Sequence, residues 1–172
     1  MIDAKLLAAA KHLLDLCRAR GLRIATAESC TGGLVAGVLT EIAGASDVVE
    51  RGFVVYSNAA KEAMLGVPAS TLIRHGAVSA ETAIAMATGA LTNSEADISV
   101  AITGIAGPGG GTKRKPVGLV HFAAASRNRK PIARRRLFGK IGRRRVRERS
   151  VAEALELLEL VALPAGPAKK KS

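Results

Sequence analysis

The chain has very few aromatic residues. Its 172 residues include no Trp, one Tyr and three Phe, although 48% of them are hydrophobic. The core must therefore be built mostly from Ala, Val, Leu and Ile. A chain of this length can bury one proper core, so we expect a single domain. Because aromatic residues are so few, the chain lacks the stacking platform of proteins that bind single-stranded nucleic acid.

The sequence also lacks a long, uninterrupted hydrophobic run. Lys5, Lys11 and Asp15 interrupt the apolar N-terminal stretch. This pattern excludes a signal peptide or a transmembrane segment there. We therefore expect a cytoplasmic protein with no membrane partner.

Cysteine and histidine are scarce and scattered. Cys17 and Cys30 are the only cysteines, and His12, His75 and His121 are the only histidines. None of them has the spacing of a metal site or a redox motif. The sequence predicts no metal.

Positive charge, in contrast, is concentrated in one segment. The net charge is +12, and residues 127–149 contain twelve Lys or Arg against one acid, Glu148. Such a field can attract nucleic acid or phosphorylated small molecules. A solvated edge strand and helix face would have the same composition, and we favour that interpretation over a nucleic-acid partner. Residues 165–172 contain three more lysines and are predicted to form a disordered basic tail.

Helical and extended patterns alternate along the chain. Helices are predicted over 3–20, 34–42, 58–65, from 79 to about 91 and over 143–162, and strands over 22–25, 52–56, 97–103, 117–125 and 131–138. This alternation predicts an α/β fold, a three-layer α/β/α sandwich with about five strands. The last two strands form a hairpin, so the sheet is mixed. Residues 72–78 are interpreted as a connector.

The stretch from Thr26 to Gly33, TAESCTGG, is predicted to join a strand to a helix. Backbone N–H groups at a helix N-terminus can bind an anion, and a serine held there, Ser29, can attack a carbonyl carbon. Cys30 is the rival nucleophile. Alternatively, Ser29 or Thr31 only caps the helix and the glycines only form the turn. Both roles are also compatible if Thr31 caps the helix and Ser29 stays free to react.

Two further loops are predicted at the carboxyl end of the sheet, where ligands of α/β proteins collect. Lys61 begins a short helix whose dipole, with partial burial, favours a neutral amine that can act as base for Ser29. Tyr56 can relay a proton or orient that lysine. Thr103 leads into a glycine-rich stretch, 104–111, that can bind an anion through its N–H groups. An exposed lysine, a half-buried tyrosine and a plain turn are the alternatives.

Four motifs, taken in order, resemble a known family. AESCTGG, GFVVYSNAAKEAMLGV, VSAETA and TGIAGPGGG followed by KPVGLVHFA are similar to the CinA C-terminal domain family over roughly residues 5–163. The resemblance implies one amidohydrolase domain over 1–164, commonly in a homodimer, without metal or organic cofactor. It also implies a small-molecule nucleotide substrate, nicotinamide mononucleotide, which is hydrolysed to nicotinic acid mononucleotide and ammonia.

The resemblance further implies a role for each motif. Ser29 matches the family's nucleophile, Lys61 its general base and Tyr56 an assisting hydroxyl. The positions that match its substrate-binding segments are Cys30, Thr31, Gly32, Gly33, Thr103, Gly104, Gly107 and Arg143. The family's Gly-Asp-Arg before the last helix is Ile141-Gly142-Arg143 here. Arg143 thus keeps the cation expected near the phosphate, while the acid is missing.

Two other functions remain open from the sequence. A catalytically silent nucleotide-binding protein would keep the pocket and release no ammonia. A nucleic-acid-associated protein would use residues 127–149, and its binding would weaken steeply with added salt.

Overall fold

A computed structural model describes residues 2–164 of the chain. That part contains six α-helices and five strands. Their bounds are α1 Ala4–Ala19, β1 Ile24–Glu28, α2 Leu34–Thr40, β2 Val49–Val54, α3 Asn58–Leu65, α4 Ala69–His75, α5 Ala80–Thr92, β3 Ile98–Gly104, β4 Leu119–Ser126, β5 Arg129–Leu137 and α6 Arg143–Ala162. None of these helices is both long and apolar enough to cross a membrane. The predicted tail, 165–172, lies outside the described residues.

The five strands form one mixed sheet in the order β2-β1-β3-β4-β5. β1 is parallel to β2 and β3, whereas β4 is antiparallel to β3 and β5. Side chains of α1, α2 and α6 pack on one face, and those of α3, α4 and α5 pack on the other. The predicted α/β/α sandwich with a mixed sheet is therefore confirmed. The carboxyl ends of β1, β2 and β3 meet at one edge of this sheet.

Small residues form the contacts of the α3–α5 layer, both with the sheet and between its helices. Ala27, Ala101 and Ala123 are fully buried on this face of the sheet. Within the layer, a Cβ added at Gly89 of α5 would lie 2.0 Å from the carbonyl oxygen of Leu65 in α3. Only glycine permits that approach, which holds α3 firmly against its neighbour.

Several element boundaries differ from the prediction. β1 continues to Glu28 because it is hydrogen-bonded to a strand on each side, and β2 begins at Val49 because its register with β1 begins there. The predicted connector over 72–78 overlaps α4. That helix begins after Pro68, whose extended backbone forms the N-cap, and Leu72 anchors it in the core. A helix of this length shows little periodicity in the sequence.

Candidate active site

Ser29 and Lys61 meet at the carboxyl edge of the sheet. Ser29 directly follows β1, and its N–H donates to the carbonyl oxygen of Ile102 in β3 at 3.0 Å. Lys61 lies in the first turn of α3, which Ser57 caps through its hydroxyl. The Lys61 Nζ atom lies 3.1 Å from Ser29 Oγ. Lys61 is 1% exposed and Ser29 is 9% exposed, so a buried amine contacts the hydroxyl of a residue that keeps slight access to solvent.

The other partners of Lys61 determine what its amine can do. Nζ also donates to the carbonyl oxygens of Val55, at 2.9 Å, and Tyr56, at 3.3 Å. None of these three partners is charged, and burial lowers the pKa of Lys61. A neutral amine has two N–H groups and one lone pair. Because the two carbonyls can only accept, they take the N–H groups and leave the lone pair for the hydroxyl of Ser29.

The turn after Ser29 is held by Glu28, the last residue of β1. Its carboxylate accepts the N–H groups of Gly33 at 3.0 Å, Val35 at 3.0 Å and Ala36 at 2.9 Å. Glu28 is fully buried. The N-terminus of α2, a natural place for an anion, is therefore occupied by a carboxylate of the chain itself.

This arrangement shows that the prediction of Thr31 as the cap of α2 is wrong. The N-cap is Gly33, with a φ of 90° and no side-chain cap. Thr31 Oγ1 is buried and makes no hydrogen bond within residues 2–164. Over the same residues, no other residue accepts from the N–H groups of Cys30 and Thr31. These two groups directly follow Ser29 and have no acceptor among the described residues.

The side chain of Cys30 lies in the core on the α1–α2–α6 side of the sheet. It is 5% exposed, and burial raises its pKa to about 12. A thiol with such a pKa stays protonated at neutral pH, whereas the thiolate is the reactive form. Both its position and its protonation argue against Cys30 as the nucleophile.

Tyr56 and Arg143 form the rim of the site. The Tyr56 hydroxyl accepts from Arg143 Nη2 at 3.1 Å, and Arg143 Nη1 donates to the carbonyl oxygen of Gly107 at 3.0 Å. Tyr56 is 61% exposed. It therefore contacts Lys61 through its main-chain carbonyl, while its hydroxyl connects the start of α6 to the end of β2. Arg143 joins that hydroxyl to the glycine-rich loop.

The glycine-rich loop approaches the site mainly through its backbone. Thr103 is 1% exposed, and its hydroxyl donates to the carbonyl oxygen of Ala77 at 2.6 Å. A Cβ added at Gly104 would lie 2.8 Å from the carbonyl oxygen of Leu119, so glycine is required for the loop to pass this close to β4. Gly107 is the one predicted residue of this loop that contacts Arg143.

Two residues that shape the site were not singled out from the sequence. Glu28 was interpreted only as part of the turn, although an acid shortly before a helix is a recognised capping signal. Arg147, one turn after Arg143 in α6, donates to the carbonyl oxygen of Thr31 at 2.8 Å. Nothing in the local sequence separates Arg147 from the other arginines around it.

Most of the basic segment, 127–149, is engaged within the fold. Arg134 and Arg136 both pair with Glu153 of α6, and Arg134 also reaches Glu156. Further cations of the segment bind backbone carbonyls, Glu148 or the Tyr56 hydroxyl: Arg127, Arg129, Arg143, Arg144 and Arg147. Seven of its twelve cations thus have a partner within residues 2–164, so the segment is more than a solvated face.

The three histidines lie on different elements. His12 is in α1, His75 ends α4 and His121 is in β4. Within the part of the chain that the structure describes, no three His, Cys, Asp or Glu side chains are close enough to hold a metal ion.

Comparison with known proteins identifies the family. The model of the CinA C-terminal domain matches residues 7–162 of this chain. The chain belongs to the CinA C-terminal domain family. The resemblance drawn from the four motifs is thereby confirmed.

Relatives of this CinA-family chain include both short and long proteins. Nicotinamide-nucleotide amidohydrolase PncC of Escherichia coli strain K12 is 49% identical over 158 residues, which cover 92% of this chain and 95% of that protein. A CinA-like protein of Anaeromyxobacter dehalogenans strain 2CP-C is 54% identical over 142 residues, 83% of this chain and 34% of that protein. The crystal structure of competence/damage inducible protein CihA from Agrobacterium tumefaciens is 50% identical, with a TM-score of 0.93 over 95% of this chain and 99% of that one.

Proposed function

We propose that this chain is an amidohydrolase that converts nicotinamide mononucleotide to nicotinic acid mononucleotide and ammonia. The observation that carries the proposal is the 3.1 Å contact between the buried Lys61 amine and Ser29 Oγ. The name of the Escherichia coli relative, a nicotinamide-nucleotide amidohydrolase, supports the choice of substrate. In this scheme the chain's own side chains supply the nucleophile and the base.

The first half of the proposed reaction forms an ester on Ser29. The neutral amine of Lys61 takes the hydroxyl proton as Oγ attacks the carboxamide carbon. The N–H groups of Cys30 and Thr31 bind the developing oxyanion. The tetrahedral intermediate then expels ammonia, which receives its proton from the Lys61 ammonium.

The second half regenerates the enzyme. Water attacks the ester carbonyl and gives a proton to Lys61, which is again neutral. Ser29 Oγ leaves and recovers its proton from Lys61, so nicotinic acid mononucleotide is released. We assign proton transfer to Lys61 rather than Tyr56, because the Tyr56 hydroxyl bonds to Arg143.

Substrate binding is assigned to the rim of the site. Arg143 and the 103–107 loop are proposed to hold the nucleotide, and the turn over 30–33 is proposed to hold the carboxamide. The acid that precedes the family's arginine is missing here, yet Arg143 is oriented by the Tyr56 hydroxyl and the Gly107 carbonyl. Those two contacts support a role for Arg143 in binding the nucleotide.

Ammonia release tests the proposal. The assay compares nicotinamide, its riboside, its mononucleotide and the dinucleotide, with wild-type protein and with Ser29→Ala, Lys61→Met and Cys30→Ser. We expect the mononucleotide to be preferred, Ser29→Ala and Lys61→Met to be inactive and Cys30→Ser to remain active. Lys113→Met, which removes an exposed amine, is the matched control. Undiminished release by Ser29→Ala would reject the mechanism. Thermal stabilisation by the mononucleotide without ammonia release would indicate a silent binding protein.

We also propose a cytoplasmic homodimer. Both cysteines are free thiols, as expected in a reducing compartment. Large apolar side chains are exposed on the β2–α4 part of the chain, including Val54, Met64 and Ile73. Exposed apolar surface of this kind favours self-association. Sedimentation analysis of wild type and Ile73→Glu is the test, with a dimer expected for the wild type and a weaker one for the variant.

A further inference from the structure

A pocket opens at the same edge of the sheet as Ser29, on the far side of β3 from it. We call it the His121 pocket. Its cavity has a volume of about 340 Å³. Its charged and titratable lining residues are His75, Glu81, Arg114, Lys115, His121 and Arg135. They come from α4, α5, the loop before β4, β4 itself and β5, so the chain converges on this place from five segments.

The His121 pocket has an excess of unpaired positive charge. Three of its residues are permanent cations, and Glu81 is its one acid, 3.6 Å from His75 Nδ1. Lys115 Nζ donates to the carbonyl oxygen of His75 at 2.7 Å. Over residues 2–164, neither Arg114 nor Arg135 has a hydrogen-bond or ion-pair partner. The charge of the pocket is therefore not neutralised by the fold.

Arg135 is best understood beside its two neighbours in β5. Arg134 and Arg136 point to the α6 face of the sheet, where both pair with Glu153. Side chains alternate along a strand, so Arg135 lies on the opposite face. There it is directly across from His121 in the β4–β5 ladder. Of these three arginines, only Arg135 lies at the pocket, and Arg135 has no acidic partner among the described residues.

The pocket also offers uncharged donors. α5 begins there, and within the described residues the N–H groups of Ala80 and Glu81 have no acceptor, whereas Ser79 Oγ accepts the N–H of Thr82. The N-terminal end of a helix carries partial positive charge. His121 Nδ1 is buried and unpartnered in the same part of the chain. Burial, Arg135 and Lys115 together lower the pKa of His121, while Glu81 opposes them weakly.

We propose that the His121 pocket binds a dianion of the phosphate class. Unpaired arginines, a lysine, two free N–H groups and an imidazole match the several acceptor oxygens of such an anion. The pocket is shallow and open to solvent, and it differs from a basic patch on one element because five segments of the chain supply its lining. It differs from the Ser29 site because its serine, Ser79, is bonded to Gly76 and Thr82 as the N-cap of α5 and has no amine beside it.

Two sources of that phosphate chemistry fit the geometry. One is free phosphate. The other is the 5′-phosphate of a nucleotide whose carboxamide lies at Ser29, and this source alone rests on the proposed function. Thr103 of β3 pairs with His121, and the preceding residue, Ile102, accepts the N–H of Ser29. Two strand spacings, about 10 Å, therefore separate the two places, and a mononucleotide can span that distance.

Titration of the histidine side chains by nuclear magnetic resonance tests the pocket without any activity. Inorganic phosphate is added at constant ionic strength, with chloride as the balancing anion. A bound dianion stabilises the protonated imidazole, so we expect the pKa of His121 to rise by about one unit. His12, on α1, should not respond. The response should be lost in Arg135→Gln and kept in Arg149→Gln, which removes an exposed arginine elsewhere.

Two results of this titration would contradict phosphate binding. An unchanged His121 pKa in wild type, or the same rise in Arg135→Gln, would overturn the proposal. Without phosphate, Arg135→Gln should itself raise the pKa of His121, because a nearby cation has gone. Amide chemical shifts that match those of wild type outside the pocket show that the variant is folded, and the titration of His121 in that folded variant still reports on the pocket.

Steady-state kinetics then distinguish the two sources. If the pocket holds the substrate's phosphate, Arg135→Gln raises KM for the mononucleotide about tenfold and leaves KM for the riboside unchanged. If free phosphate is the ligand, both KM values stay unchanged while the response of His121 to phosphate remains. Either result supports a phosphate site. If the chain is inactive towards every nicotinamide compound, the proposed function fails. The histidine titration still shows whether the pocket binds phosphate.

Discussion

Helices α2 and α5 begin at the same edge of the sheet, but their N-termini are used differently. At α2 the carboxylate of Glu28 accepts three N–H groups, so the anion that a helix N-terminus attracts is already present. At α5 the N–H groups of Ala80 and Glu81 are open, and unpaired cations surround them. A helix N-terminus whose N–H groups have no acceptor can bind a ligand anion. One whose N–H groups already bond to a carboxylate of the chain can only position the residues beside it.

The filled end of α2 explains how Ser29 can be both rigid and reactive. Because Glu28 fixes the turn, Ser29 needs no capping role and its hydroxyl is left for Lys61. The carboxylate also excludes a substrate anion from the start of α2. The N–H groups that remain for an oxyanion are those of Cys30 and Thr31.

The largest effects are expected from replacing Ser29, in the turn before α2, and Ser79, the N-cap of α5. Ser29→Ala should lower kcat by about 10³-fold or more, because the nucleophile is gone, and should leave the thermal stability nearly unchanged. Ser79→Ala, at the N-cap of α5, should instead cost about 1 kcal/mol of stability and keep most of the turnover. Ammonia assays and urea denaturation of both variants measure the pair. Equal losses of turnover would contradict the different uses of the two ends.

Glu28→Gln tests whether the carboxylate holds the catalytic turn. An amide places an NH₂ group among three N–H donors, so we expect a loss of about 2 kcal/mol in the free energy of unfolding. A displaced Ser29 should also lower kcat about tenfold or more. Glu41→Gln, an exposed residue just after α2, is the control. A Glu28→Gln variant as stable and as active as wild type would show that the turn holds itself.

The pH dependence of kcat tests the state of Lys61. Burial lowers its pKa below the ordinary lysine value of 10.5. In the proposed mechanism the neutral amine is the base, so kcat should rise with pH through this lowered pKa and fall in proportion to acidity below it. The measurement is ammonia release at saturating substrate across the pH range in which the protein stays folded. A midpoint at the ordinary lysine value, or no pH dependence, would contradict a buried amine base.

The smallest expected effect is a difference in stability between variants of two adjacent arginines of β5. Arg134→Gln removes an ion pair with Glu153 and Glu156 that is partly shielded from solvent, and should cost about 1 kcal/mol of stability. Arg135→Gln removes an unpaired cation and should change stability by less than about 0.5 kcal/mol. Urea denaturation of both variants is the measurement. The opposite order would mean that Arg135 has a partner in solution.

Local patterns in the sequence were sufficient to predict the layers of the fold. They also placed Ser29 and Lys61 at the carboxyl edge of the sheet. Hydrophobic periodicity and strand ends are local signals, and parallel strands bring their carboxyl ends together. The short helix α4 was missed because one buried residue, Leu72, gives no period. The end of β1 was missed because its pairing comes from strands far away in the chain.

The finer geometry of the site depends on contacts that no local pattern contains. The partner of the Tyr56 hydroxyl, Arg143, lies 87 residues further along the chain. Glu28 could be recognised as a capping carboxylate only once the path of the turn was known. The pocket around His121 is similar, because five separate segments supply its charges and none is unusual on its own.

The most direct test of the central claim is mass analysis of rapidly quenched reactions with nicotinamide mononucleotide. The mechanism predicts a transient adduct equal to the substrate minus ammonia on the peptide that contains Ser29, and it predicts that Ser29→Ala forms no adduct and releases no ammonia. An adduct carried by Cys30, or full turnover by Ser29→Ala, would contradict a serine nucleophile activated by Lys61.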